Sequence, residues 1–156
     1  MQTHVLALLM NNPDTDVRTA VSQYFEEYYP HTADVLTNYY WGLESRLKAT
    51  NHALPLYGTM QDMCESYLDA KEFVRFRSEL DAKSKQSTGD ERKRLNALLT
   101  GFAYTQLEMY RTGILPKDVE MAIEMKEILK GHSELKNMKN RDEVGHTIDD
   151  YLKLWK

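Results

Sequence analysis

The chain predicts an all-α fold, a single helical bundle of about six to eight helices, either up-and-down or irregular in topology. Three observations point there. Apolar residues recur at i, i+3, i+4 and i+7 along much of the chain. Long runs of alternating β-branched residues are absent. Glycines and prolines are few and mostly sit where one periodic segment gives way to the next.

The first helix spans about residues 2–10, where Val5, Leu6, Leu8, Leu9 and Met10 cover more than one stripe, so it should be buried on most sides. Asn12-Pro13-Asp14 breaks the run. The second helix, about 15–29, places Val17, Ala20, Val21, Tyr24, Phe25 and Tyr28 on one continuous face. Asp14 or Thr15 is its expected cap, and Asp16 suits the positive end of its dipole. Pro30 ends it, and Thr32 is the expected cap of a third helix over about 33–50 with Leu36, Tyr39, Tyr40, Leu43 and Leu47 facing inward.

After the loop "NHALPLYG", Thr59 and Asp62 form a T-x-x-D capping pattern. The fourth helix reaches about Leu68 and either continues through Phe73, Phe76 and Leu80 or breaks near Asp69. "SKQSTGDE" is a turn with Thr88 and Glu91 as a second capping pair, and a long helix follows over about 90–112, stopped by Gly113. Pro116 suits the first turn of a helix over about 116–130 that ends at Gly131. "HSELKNMKNRDEVG" is polar and weakly periodic, and a last helix runs from Thr147 to Trp155 behind a Thr147/Asp150 cap. No Ser- or Pro-rich linker and no repeat of about 34 or 40 residues divides the chain, so residues 1–156 read as one helical domain.

Composition narrows the function classes. With 42% apolar and 28% charged residues the balance is that of a globular domain. A chain of this length buries about 68–70% of the surface it exposes when unfolded. The net charge is −4, and the densest basic stretch (Lys83, Lys85, Arg92, Lys93, Arg94) is interrupted by Asp81, Asp90 and Glu91, which argues against nucleic acid. No segment approaches the ~20 apolar residues that span a bilayer, so no membrane partner is expected. Met1 to Met10 lacks the basic start and cleavage site of a signal peptide.

Chemistry-bearing motifs are scarce. The histidines at 4, 31, 52, 132 and 146 show no H-x-x-x-H spacing, and Glu120, Glu124 and Glu127 share a helix with no histidine at a di-iron offset. No metal site and no cofactor is expected. The single cysteine, Cys64, sits among apolar neighbours and reads as a packed thiol. Glycine-rich phosphate loops and G-x-S-x-G are absent. Glu26-Glu27 and Asp149-Asp150 are adjacent in sequence, hence about 100° apart on a helix, and form no facing pair. No catalytic residue is therefore expected. Of the aromatic clusters, Tyr29 and Trp41 fall off the best core stripes and are the ones held open for a partner.

The opening "HVLALLMNNPDTDVRTAVSQYFEEYY" resembles a junction in α-glucuronidase-like and hexosaminidase-like bacterial glycoside hydrolase proteins of unassigned substrate. There, a (β/α)8 barrel ends in a helix of the type Y-x-L-x-x-L-L-W-N-P and continues as D-x-D-V into a helical C-terminal region containing F-x-x-x-Y-Y. Leu6, Leu8, Leu9, Asn12, Pro13, Asp14, Asp16, Val17, Phe25, Tyr28 and Tyr29 carry the likeness, with Asn11 in place of the usual Trp. "YTQLEMYR" and the closing "TIDDYLKLWK" are similar to the tail of that region. The resemblance implies that residues 1–11 end an upstream catalytic barrel absent from this sequence, with Met1 an introduced start. It also implies a periplasmic or extracellular setting. The chain would then be a non-catalytic accessory domain of a carbohydrate-active protein, packing against its barrel. The alternative is a free-standing helical protein–protein interaction module. Val5, Leu6, Leu9, Tyr29 and Trp41 are the expected interface residues, facing either the missing domain or, if the first helix is exposed, a second copy in a homo-oligomer.

Overall fold

The computed structural model describes residues 1–54, 57–131 and 148–153. Among these the chain is all helical: α1 (Gln2–Asn11), α2 (Val17–Tyr28), α3 (Ala33–Thr50), α4 (Met60–Ser66), α5 (Ala70–Ser84), α6 (Gly89–Arg111), α7 (Val119–Gly131) and α8 (Ile148–Lys153). It forms two compact units, Met1–Leu95 and Asn96–Lys156. The sequence offers no linker here and the structure has none, because the division falls inside α6.

Local chemistry sets the helix ends. Asn12 closes its own turn: its Oδ1 accepts from the Asp14 N–H at 3.1 Å, and its carbonyl accepts from the Thr15 hydroxyl at 2.7 Å. With Thr15 engaged there, the cap of α2 is Asp16, which accepts from the Arg18 and Thr19 amides at 3.3 and 3.1 Å. The expected Asp14 or Thr15 cap is thus displaced by one or two residues. Thr59 and Asp62 form the reciprocal capping box of α4 (Thr59 N–H to Asp62 Oδ2, 2.7 Å; Asp62 N–H to Thr59 Oγ1, 3.3 Å).

The open alternative after α4 is settled in favour of a break. Asp69 starts α5 by accepting from the Lys71 and Glu72 amides at 3.0 and 2.9 Å. α7 begins three residues later than its proline suggests. Asp118 Oδ1 accepts from the Met121 N–H at 3.0 Å, so Asp118 is the cap and Pro116 remains in the connection. Gly113, with φ of 77°, takes the left-handed conformation that ends α6. Thr147 and Trp155 of the expected last helix lie outside the described residues.

In the first unit the core gathers Val21, Phe25, Leu36, Phe73, Phe76 and Leu80, all buried. Burying one such side chain is worth about 1.5–3 kcal/mol. The Tyr39 and Phe76 rings stack with centroids 3.6 Å apart, joining α3 to α5. In the second unit Ala103, Leu107 and Tyr110 of α6 pack with Ala122, Met125 and Leu129 of α7 and with Tyr151 of α8. Gln106 is fully buried there and donates from Nε2 to the Tyr110 hydroxyl at 2.9 Å.

Candidate interaction surface

α1 carries no Asp, Glu, Lys or Arg, and neither does any position from Met1 to Pro13. A helix this apolar seeks cover, yet it has no buried residue. One side rests on α2, where the His4 ring lies 5.3 Å from Tyr24 and 6.3 Å from Tyr28. Val5 and Leu9 are half-buried, while Leu6 is 57% and Met10 80% exposed. The expectation of burial on most sides is not met among the described residues, where α2 packs on one flank of α1.

The uncovered side opens onto an apolar cavity of about 390 Å³. Val5, Leu6 and Leu9 form one wall with Met1 and Gln2, and Val17, Val21, Tyr40 and Trp41 of α2 and α3 face them. Trp41 is half-buried, with the Arg18 guanidinium 4.4 Å above its ring. Glu44 is the one carboxylate on the lining, and Lys48 answers it at 2.6 Å from the same helix. A cavity this size with almost no polar group can take apolar side chains, but it has little with which to orient a polar substrate.

Of the residues expected to meet a partner, Val5, Leu6, Leu9 and Trp41 come together here. Tyr29 does not. It is 7% exposed, with its ring 6.0 Å from Phe25 and 6.3 Å from Tyr24. Burial, with Tyr24 and Tyr40 adding and Arg94 opposing, pushes its hydroxyl up to about 12. Helical periodicity places Tyr29 off the core stripe, but its backbone has already left the helix (φ −141°, ψ 54°), and the turn carries the ring inward.

That same turn holds a polar constellation that sequence reasoning assigned elsewhere. Glu91 is read from sequence as half of a capping pair with Thr88. In the structure it is 6% exposed and reaches the α2–α3 corner instead. Its Oε1 accepts from the His31 N–H at 3.0 Å and from the Thr32 hydroxyl at 3.5 Å, and its Oε2 lies 2.6 Å from His31 Nδ1. Thr32, fully buried, makes no side-chain cap bond for α3. One turn along α6, Arg94 Nε donates to the Tyr28 carbonyl at 3.1 Å. An anion thus meets the start of α3 and a cation the end of α2, each the favoured sign for its helix terminus.

A second depression of about 210 Å³ lies between α3 and α5. Its lining mixes charged and apolar side chains, and two of its carboxylates are ion-paired, Asp34 with Lys83 and Asp69 with Arg46 at 3.2 Å. Cys64 is half-buried, and burial pushes its thiol up, away from the nucleophilic thiolate. Among the described residues no group of three His, Cys, Asp or Glu side chains is placed to hold a metal ion. His132 and His146 lie outside them. No described helix is long and apolar enough to cross a membrane. Comparison with protein-family models, with curated proteins and with solved structures finds no significant match to this chain.

Proposed function

We propose that this protein works by packing, as a non-catalytic helical module whose α1–α3 face docks against another protein surface. The observation that carries this reading is the open apolar groove beside a charge-free helix, with Leu6 more than half exposed at its rim. Depletion of charge at the centre of a patch is the compositional mark of an interface core. Trp41 on the groove wall is an aromatic side chain of the kind that concentrates binding energy.

The catalytic barrel of a glycoside hydrolase-like protein is the covering surface that the motif resemblance implies. A free-standing interaction module is the other form of the same reading. The groove supports the docking step common to both, and its lining holds no feature specific to sugar chemistry.

The test separates a docking face from a structural one. Leu6→Glu is expected to leave the helical circular-dichroism signal intact in dilute solution and to abolish binding of an apolar fluorescent dye. Loss of the folded signal would assign α1 to the core and overturn the reading. So would turnover of aryl-glycosides by the purified chain that disappears when its own carboxylates are replaced.

A further inference from the structure

Each of α2 to α5 buries at least one residue, whereas α1 buries none. We infer that α1 is a hinged arm, which docks on α2 and releases from it as one cooperative piece while the rest of the first unit stays folded. The inference goes beyond the docking reading, because it describes what α1 does whether or not a partner is present.

The helix does not sustain itself. Its ten residues fall short of the about 12–15 that hold an isolated helix in water. Met1, at its N-cap, makes no side-chain cap bond, and neither an acid in the first turn nor a base in the last complements the dipole. α2 and α5, by contrast, are capped by Asp16 and Asp69. Away from α2 the segment should lose its helix, so docking and helix formation are a single equilibrium.

The ties that favour docking are few. Among the described residues no hydrogen bond or ion pair joins α1 to another helix. Side-chain packing holds it: the His4 ring lies against Tyr24 and Tyr28, and Val5, Leu8 and Leu9 are half-buried.

Release breaks no hydrogen bond in what remains. The turn after α1 closes on itself, through Asn12 to the Asp14 N–H and the Thr15 hydroxyl, and Pro13 has no N–H to lose. The cap of α2 is its own Asp16. Without His4, Tyr24 still meets Phe25 edge-on at 5.5 Å, and Tyr28 still has the Arg94 guanidinium 5.4 Å from its ring. Asn12 itself is extended (φ −143°, ψ 104°), so the helix stops there and the chain can swing. The apolar cavity between α1 and Trp41 is then the gap of a joint, not a fixed socket.

Native-state hydrogen exchange of the whole chain, followed by mass spectrometry in dilute urea, tests this. Amides from Val5 to Asn12 should exchange at least about tenfold faster than those from Ala20 to Phe25, at rates that low urea barely changes, the mark of local release. His4→Ala should speed α1 exchange by about two- to tenfold, the loss of one ring contact, and leave Ala20 to Phe25 as in the wild type. Gln2→Glu, which puts an acid in the first turn, should slow α1 exchange by about two- to fivefold. An α1 that exchanges with the rate and urea dependence of α2, or a His4→Ala that speeds both helices together, would overturn the inference by making α1 part of one cooperative core. Amides in α1 with no protection at all would overturn it too, since the arm would never dock. A rigid α1 would line the same groove, so the dye-binding test of the docking reading stands apart from this one.

Discussion

Within the first unit two residues exchange the places their chemistry suggests. Glu91 is a carboxylate and is 6% exposed; Leu6 is a leucine and is 57% exposed. The difference lies in what each finds. Glu91 has a backbone N–H, an imidazole nitrogen and a hydroxyl around it. Leu6 has α2 on one flank of its helix and an open groove on the other. Burial of a polar group is set by whether its partners are present, and exposure of an apolar group by whether its cover is. The corner held by α6 is complete in itself, whereas the α1 face is left open among the described residues.

Breaking the complete region should have the largest effect. Glu91→Ala removes the acceptor for the His31 N–H and for the hydroxyl of the fully buried Thr32. Hydrogen bonds to a charged group are worth about 1.5–3 kcal/mol, so a loss of about 2–3 kcal/mol is expected in urea-unfolding free energy. Glu91→Gln keeps one acceptor oxygen and should cost clearly less. Equal losses for the two variants would show that packing volume, not hydrogen bonding, holds the corner.

This region was also the least legible from sequence. Some short-range signals read correctly, the Thr59/Asp62 box and the glycine stop at Gly113 among them, while the α2 stripe holds at Ala20, Val21 and Phe25 and fails at Val17, which is exposed. Glu91 sits three residues after Thr88, a spacing that fits a capping pair, but its partners lie 59 and 60 residues away. A local rule competes there with a tertiary contact it cannot represent, and the contact wins. Tyr29 was misplaced for a related reason, since helical angles stop applying one residue too soon. At the groove, Val5, Leu6, Leu9 and Trp41 were legible because α1 is apolar all round and Trp41 lies off the core stripe. The cavity that joins them was not, because it depends on how α1 rests on α2.

A smaller effect is expected where a charge is useful but exposed. Asp69 caps α5 and also accepts from Arg46 Nη1 at 3.2 Å. Asp69→Ala should cost about 1 kcal/mol, the usual loss for an N-cap acid. The Glu72 amide first, then Arg46 and the Lys71 amide, hold the Asp69 carboxyl below the ordinary range, against a partial desolvation. A carboxyl lowered on folding contributes stability above its unfolded value, near pH 4, and loses it as pH falls through the lower folded value. The gap between wild type and Asp69→Ala should therefore hold constant from neutral pH to about 5 and shrink below about 4. A gap that widens in acid would reverse the sign and remove the capping carboxylate as its source.

The smallest effect should come from the most apolar change on the incomplete side. Met10 is 80% exposed at the end of α1, so Met10→Gln removes little that the isolated chain has buried. Substitutions away from buried features stay within about ±0.5 kcal/mol, and Gln is as good a helix former as Met. Unfolding measured in dilute solution should not distinguish Met10→Gln from wild type. Binding of an apolar fluorescent dye should separate them, because the exposed Met10 side chain adds to the apolar surface of this face and Gln does not. Equal dye binding by both would mean that Met10 contributes nothing to the apolar surface of this face. The exposed apolar surface of α1 would then reduce to Leu6, and the contrast with the corner at Glu91 would rest on the groove walls alone.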